Sequence, residues 1–268
     1  MNWTRRLALG VAAAALLATA APAMADLRFG VAAEPYPPFT SKDASGKWVG
    51  WEIDVMDAVC AEMKEKCEVV EVAWDGIIPA LTSKQIDVIW SSMLITEKRK
   101  ETIDFSQMYY DTPPAMIGQK DGDKDISPEH LKGKTLGVQV STGHERYAQK
   151  YLLPAGVDLK TYATQDEANN DLAAGRLDYV LANSSALFDY LGTDQGSACC
   201  ELKGIIEKPK DDPGIYGEGV GGGVRKEDTA LKEKLNAAIS ALAKAGKFDE
   251  ITQKYPQLVG KMTLPKAE

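Results

Sequence analysis

The sequence lacks the features that would place it in a membrane, on a nucleic acid or around a metal ion. After residue 25, no segment reaches the roughly 18 consecutive apolar residues that a membrane-spanning helix needs. The 268 residues include 31 lysines and arginines against 39 acids, and this net charge of −8 argues against a nucleic-acid partner. Only two histidines are present, His130 and His144, and both lie far in sequence from the cysteines, so a zinc site is weakly supported. Aromatic residues are scarce at 7%, whereas 44% of residues are hydrophobic, which is typical of a globular α/β protein.

The first 25 residues have the pattern of a secretory signal peptide. Arg5 and Arg6 precede an apolar run over residues 7–21, and small residues at 23 and 25 form a cleavage site. We therefore expect cleavage after Ala25 and a periplasmic protein. Loss of the two arginines changes the net charge from −8 to −10 and leaves 243 residues, enough for two modest lobes.

The four cysteines fit an oxidising compartment. Cys60 and Cys67 lie seven residues apart, at the end of a predicted helix and just beyond it, and a disulfide could bridge that separation. Cys199 and Cys200 are adjacent and could join only in a strained ring. For this second pair, free thiols and a labile bond both remain open.

Residues 86–99 contain the clearest candidate for a binding site. Residues 86–90 are β-branched or aromatic apart from Asp87 and predict a buried strand, which ends at the hydroxyls of Ser91 and Ser92. Thr96 is a predicted helix N-cap, and this places Arg99 in the first helical turn, near the strand end. A guanidinium beside hydroxyls and helix-end N–H groups can bind a carboxylate, so Arg99 is a candidate ligand-binding residue. The alternative is that Arg99 is an ordinary surface arginine.

A similar pattern occurs twice in the chain. Leu81 is followed five and six residues later by Ile86-Asp87, and Leu172 is followed at the same spacing by Leu177-Asp178. Each half therefore predicts strand, helix and strand in the same order, and we expect two similar lobes with mainly parallel sheets. Ligands of such sheets bind beyond the carboxyl ends of the strands, so the polar strand ends should face one cleft.

Two passages connect the predicted halves, an extended one over residues 109–114 and a glycine-rich one over residues 213–223. The last helices, with apolar residues repeating at helical spacing, are assigned to the first half. The predicted organisation is lobe 1 over residues 26–112 and 219–268, and lobe 2 over residues 113–218.

Three sequence runs resemble the periplasmic amino-acid-binding proteins of ABC importers, most closely the lysine/arginine/ornithine, histidine and octopine group. They are Gly50-Trp51-Glu52-Ile53-Asp54, Ser91-Ser92-Met93-Leu94-Ile95-Thr96-Glu97-Lys98-Arg99 and Gly175-Arg176-Leu177-Asp178. The resemblance covers essentially the whole mature chain and implies an α/β, two-lobed periplasmic binding protein type II fold (Venus flytrap) with two hinge crossings. It also implies a Cys60–Cys67 disulfide, which that group carries. The implied protein is a monomeric non-enzyme without cofactor or metal, which captures a polar, cationic amino acid and delivers it to an ABC-transporter membrane permease.

The resemblance implies roles for individual residues. Arg99 would hold the α-carboxylate of the ligand, helped by Thr142 at the start of a second-lobe helix. Glu34 would meet the distal cation, and Tyr36 and Trp74 would form aromatic walls. The other expected ligand-binding residues are Ser91, Ser92, Leu94, Gln139, His144 and Asn183.

Two residues depart from the pattern of the group. Leu94 replaces a serine or threonine, and Asn183 replaces the aspartate that receives the α-ammonium, so the side chain brings no charge. An opine, whose secondary amine carries a second acid group, is therefore a competing ligand. His144 could meet that acid, or it could be a plain surface histidine. A dehydratase-like enzyme on the same fold is the main rival class, with Glu34 and His144 as candidate acid and base.

Overall fold

The computed structural model describes residues 26–266, so the predicted signal peptide, 1–25, lies outside the described residues. The strands are β1 Leu27–Ala32, β2 Ser41–Lys42, β3 Trp48–Val49, β4 Cys67–Val72, β5 Val88–Ile89, β6 Asp104–Tyr110, β7 Pro114–Gln119, β8 Thr135–Gln139, β9 Asp158–Tyr162, β10 Tyr179–Asn183, β11 Cys200–Ile205 and β12 Val220–Val224. The helices are α1 Trp51–Met63, α2 Ile77–Thr82, α3 Glu97–Lys100, α4 Gly143–Tyr147, α5 Gln165–Ala173, α6 Ser184–Leu191, α7 Asp194–Cys199, α8 Thr229–Lys244 and α9 Lys247–Thr252. Within these described residues, no helix is both long and apolar enough to cross a membrane.

Two five-stranded sheets divide the chain into two lobes. The first lobe contains the sheet β4-β1-β5-β12-β6, and the second contains the sheet β11-β7-β10-β8-β9. The chain crosses from the first sheet to the second between β6 and β7, and it returns between β11 and β12. This arrangement confirms the predicted α/β class and its two crossings.

The expectation of mainly parallel sheets is wrong. β1 runs parallel to β4 and β5, and β8 runs parallel to β9 and β10. In contrast, β12 is antiparallel to β5 and β6, and β7 is antiparallel to β10 and β11. The crossings explain the difference, because the strand that carries the chain out of a lobe and the strand that brings it in point in opposite directions.

The sequence repeat has the same structural role in both lobes. The carboxylate of Asp87, just before β5, accepts a hydrogen bond from the backbone N–H of Arg28 in β1 at 3.2 Å. The carboxylate of Asp178, just before β10, accepts one from the backbone N–H of Thr135 in β8 at 2.7 Å. The backbone N–H of each aspartate donates to the carbonyl of the same partner residue. Each aspartate therefore joins the beginnings of two adjacent parallel strands and aligns their carboxyl ends at the cleft.

The scarce aromatic residues concentrate in the core of the first lobe. The rings of Trp90 and Tyr109 stack with centroids 4.1 Å apart, and those of Phe39 and Tyr110 stack at 4.8 Å. Trp51, at the start of α1, is fully buried and donates its Nε1–H to the Thr252 hydroxyl in α9. Because α8 and α9 also pack on α1, the terminal helices complete the core of the first lobe. Such rings stabilise a core beyond their buried area.

Both cysteine pairs are bonded. Cys60 and Cys67 form a disulfide that joins the end of α1 to β4, as the resemblance implied. Cys199 and Cys200 also bond to each other, at the junction of α7 and β11.

Candidate functional site

A cavity lies between the two lobes, at the carboxyl ends of the parallel strands. The structure brings all the predicted site residues into its wall: Glu34, Tyr36, Trp74, Ser91, Ser92, Leu94, Arg99, Gln139, Thr142, His144 and Asn183. The sequence did not predict four further lining residues, Ala32, Pro35, Gly143 and Gln165.

Arg99 occupies the first turn of α3, as predicted. Thr96 is the N-cap, and its hydroxyl accepts a hydrogen bond from the Arg99 backbone N–H at 3.3 Å. The Arg99 guanidinium donates to the carbonyl oxygens of Leu94 and Ser141, each at 2.9 Å, and forms no ion pair with an acid of the described residues. Burial and the nearby Arg146 lower the pKa of Arg99 to about 10, so it remains charged at neutral pH. Because a guanidinium has five N–H donors, Arg99 can also bind a carboxylate.

The start of α4 brings the second lobe against Arg99. The Thr142 hydroxyl caps α4 by accepting from the Glu145 backbone N–H at 3.1 Å, and it donates to the Gln139 carbonyl at 2.7 Å. With its hydroxyl engaged, Thr142 would reach a ligand through the backbone at the helix start. Gly143 allows α4 to pack closely on the backbone of Ile215 and on the first-lobe side chain of Leu94, because a Cβ there would lie 2.7 Å from the Ile215 carbonyl oxygen and 3.1 Å from Leu94 Cδ1.

Trp74 contacts both charged residues of the cavity wall. Its backbone N–H donates to Glu34 Oε2 at 3.2 Å, and its ring centroid is 5.5 Å from the guanidinium carbon of Arg99. Its Nε1–H donates to the Val140 carbonyl of the second lobe at 3.1 Å. Trp74 therefore contacts a charged residue of each sign, and its indole bonds the first lobe to the second.

Ser91 and Ser92 have different roles, although both follow β5. The Ser91 hydroxyl is buried and accepts from the Ala32 backbone N–H at 3.0 Å, which ties β5 to the end of β1. Ser92 has φ +51° and donates both its backbone N–H and its hydroxyl to the carboxylate of Glu52. The sequence predicted a polar strand end here but not the buried acid behind it.

Comparisons with known proteins agree with this geometry. Residues 27–257 match the family of bacterial extracellular solute-binding proteins, family 3. The chain belongs to this family. It is 43% identical to the L-arginine-binding protein of Pseudomonas aeruginosa over 85% of this chain and 87% of that one. It is 37% identical to the lysine/arginine/ornithine-binding periplasmic protein of Escherichia coli, over 82% and 84% of the two chains. A solved ancestral arginine-binding protein bound to arginine has a TM-score of 0.77 and 35% identity, covering 86% of this chain and 98% of that one.

In this solute-binding protein, the second-lobe wall centres on Asn183 and His144. The Asn183 side chain, 4% exposed, accepts a hydrogen bond through Oδ1 from His144 Nε2 at 3.1 Å. Burial lowers the pKa of His144 to about 4, and its Nδ1 has no hydrogen-bond partner in the described part of the chain. His144 is 5% exposed, so the reading of a plain surface histidine is wrong.

Tyr36 faces the same pair from the first lobe. Burial raises the pKa of its hydroxyl well above the usual value, and the backbone and side-chain amides of Asn183 offset part of that rise. The Tyr36 ring also stacks on Phe39, with centroids 6.0 Å apart. The first-lobe aromatic core therefore extends to the cavity wall.

Of the unpredicted lining residues, only Gln165 has a polar side chain. It is the first residue of α5, is 5% exposed and donates Nε2–H to Asn169 Oδ1 at 3.0 Å. The sequence carries a signal for this position, because Thr164 and Glu167 form a capping box that marks a helix start after a strand. Ala32, Pro35 and Gly143 have no comparable signal, since they line the cavity through backbone and small apolar groups.

Proposed function

We propose that this protein captures a cationic amino acid, with arginine the first candidate, and delivers it to the membrane permease of an ABC importer. The proposal rests on the cavity geometry, since the wall presents Arg99, beside the Trp74 ring, as a carboxylate site and Glu34, bonded to the Trp74 backbone, as a cation site. A ligand with a terminal carboxylate and a distal guanidinium or ammonium matches both groups. The names of the relatives, which specify arginine, lysine, ornithine and histidine, agree with this choice.

Calorimetric titration with arginine, lysine, ornithine, histidine and glutamine tests the proposal. Arginine should bind, and Arg99→Ala should lower its affinity more than a hundredfold, about 3 kcal/mol, because the carboxylate loses its charged partner. Lys98→Ala is the matched control, since Lys98 lies on the same helix with its side chain 69% exposed. If Arg99→Ala bound arginine as tightly as the unchanged protein, the cavity between the lobes would not be the arginine-binding site.

Glu34→Gln tests the distal end of the cavity separately. The variant preserves shape and the acceptor for the Trp74 N–H but removes the charge. Arginine and lysine should bind more weakly, whereas glutamine, if it binds, should be nearly unaffected. If Glu34→Gln lowered the affinities for charged and neutral ligands equally, Glu34 would have a purely structural role.

An opine is the second candidate ligand, because Asn183 brings no charge to the cavity. His144 is a poor partner for the additional carboxylate of an opine. Its Nε2–H is already donated to Asn183, and its low pKa leaves it neutral at pH 7. We therefore rank the cationic amino acid first, and octopine in the titration panel provides the comparison.

We further propose that the protein is located in the periplasm after cleavage of the signal peptide following Ala25. It would act there as a monomer and would not catalyse a reaction of its ligand. Lobe 1 would comprise residues 26–112 and 219–268, and lobe 2 residues 113–218, which puts both boundaries in the two crossings. The intact mass of protein recovered from the periplasm tests the cleavage site. Recovery of the ligand unchanged after prolonged incubation tests the absence of catalysis.

A further inference from the structure

The charges of the cavity account for two ends of an arginine molecule but not for its α-amine. Among the described residues that line the cavity, Glu34 and Arg99 are the two with charged side chains at neutral pH. If Arg99 takes the carboxylate and Glu34 the distal cation, no acid of the wall remains for an α-ammonium.

Acids behind the cavity wall do not fill this gap. Glu52 lies behind Ser92, and its carboxylate already accepts hydrogen bonds from Ser92 and from the Tyr109 hydroxyl. The carboxylate of Glu145 accepts from the Ser141 backbone N–H at 2.7 Å and from Gln149 at 3.2 Å. Neither residue lines the cavity.

Asn183, a neutral acceptor of the second-lobe wall, is also engaged. Asn183 Oδ1 accepts from His144 Nε2, and because an amide oxygen cannot donate, this contact fixes the proton on Nε2. An ammonium in this region would lose its water and gain only neutral acceptors from the described wall, without a compensating charge. Burial of a charge without a partner is unfavourable.

We infer that the cavity does not select for a charged α-amine, and that its ligands include ω-guanidino and ω-amino carboxylates without that amine. This inference rests on the proposed function, because it keeps Arg99 as the carboxylate site and Glu34 as the cation site. The cavity and such a ligand are then matched in charge, since each carries one positive and one negative group.

Calorimetry with matched pairs of compounds tests the inference. L-arginine is compared with 5-guanidinopentanoate, which is arginine without its α-amine, and L-lysine with 6-aminohexanoate. In the unchanged protein, the affinities within each pair should differ by less than tenfold. In Asn183→Asp, the added carboxylate should favour L-arginine over 5-guanidinopentanoate by more than tenfold, because it provides the missing counter-charge.

Asn170→Asp is the control, because Asn170 is exposed on α5 and adds the same charge outside the cavity. It should leave the ratio within each pair unchanged. A tenfold or greater preference of the unchanged protein for L-arginine would overturn the inference while leaving the proposed function intact. If neither compound of either pair binds, the proposed function and the inference both fail.

Discussion

The carboxylate of Glu52 holds the backbone and the side chain of Ser92 at once. Glu52 is fully buried, its Oε1 accepts the Ser92 backbone N–H at 2.7 Å, and its Oε2 accepts the Ser92 hydroxyl at 2.8 Å. The Tyr109 hydroxyl donates to the same carboxylate. Because Ser92 has φ +51°, a conformation that non-glycine residues adopt at a cost, these bonds stabilise a strained residue in the cavity wall.

Glu52→Gln should therefore weaken both folding and ligand binding. Glutamine has only one acceptor oxygen, so at least one of the three donors loses its partner in a buried site. The free energy of unfolding should fall by about 1–3 kcal/mol, as expected for an unsatisfied buried donor. Urea denaturation measures the stability, and calorimetry with arginine measures the affinity.

Glu62→Gln is the control for that substitution, because Glu62 is exposed near the end of the same helix. It should change neither quantity by more than about 0.5 kcal/mol. Equal stability of the Glu52→Gln and Glu62→Gln variants would show that the Glu52 contacts do not stabilise the Ser92 conformation.

The two disulfides should differ in their effect on stability. The Cys60–Cys67 bond closes a short loop between α1 and β4, so the Cys60→Ser/Cys67→Ser variant should lose about 2 kcal/mol. The Cys199–Cys200 bond joins neighbours and constrains almost no chain, so its double serine variant should lose much less. Thermal unfolding of both variants under identical conditions measures the difference. A larger loss from the second pair would refute this ranking.

Local sequence patterns predict part of the cavity wall, because polar residues there follow a strand or begin a helix. The expectations for Tyr36, Trp74, Leu94, Gln139 and His144 came instead from the family resemblance. Ser91 and Ser92 after β5, Asn183 at the end of β10 and Thr142 at the start of α4 all carry polar groups where a parallel sheet places its ligand. Such positions are encoded locally, by a short β-branched run followed by a capping residue.

Contacts between distant segments could not be predicted in the same way. Glu52 lies forty residues before Ser92, and nothing in the local pattern indicates that the start of α1 packs behind the end of β5. The antiparallel pairing of β12 with β6 depends on the direction in which the chain returns from the second lobe. Local patterns do not encode that direction, so more parallel strand pairs were predicted than the sheets contain. The bond from Arg99 to Ser141 depends on how closely the lobes approach.

His144 should make stability depend on pH in the acidic range. Its pKa falls from 6.5 to about 4 on folding, because burial disfavours the imidazolium. Between these values the unfolded chain binds more protons than the folded one, so stability rises with pH there and is lost as pH falls from about 6.5 towards 4. The loss from this residue at pH 4.5 should be on the order of 2 kcal/mol.

Urea denaturation of the ligand-free protein and of His144→Gln at pH 7 and pH 4.5 measures this effect. The variant should lose less stability on acidification than the unchanged protein. His130→Gln is the control, because His130 is partly exposed and lies next to Asp123 and Asp125 at the surface. Parallel pH profiles for the unchanged protein and His144→Gln would contradict the assignment.

Trp74→Phe should loosen the closed arrangement of the lobes. The substitution keeps an aromatic face beside Arg99 but removes the Nε1–H that donates to the Val140 carbonyl across the cleft. The ligand-free variant should have a larger radius of gyration in X-ray scattering. Its arginine affinity should fall about fivefold, which corresponds to one hydrogen bond of about 1 kcal/mol.

Trp48→Phe is the matched control, because Trp48 Nε1–H donates to Glu71 Oε1 at 3.1 Å within the first lobe. If the two variants change the scattering and the affinity equally, the Trp74–Val140 contact does not hold the lobes closed.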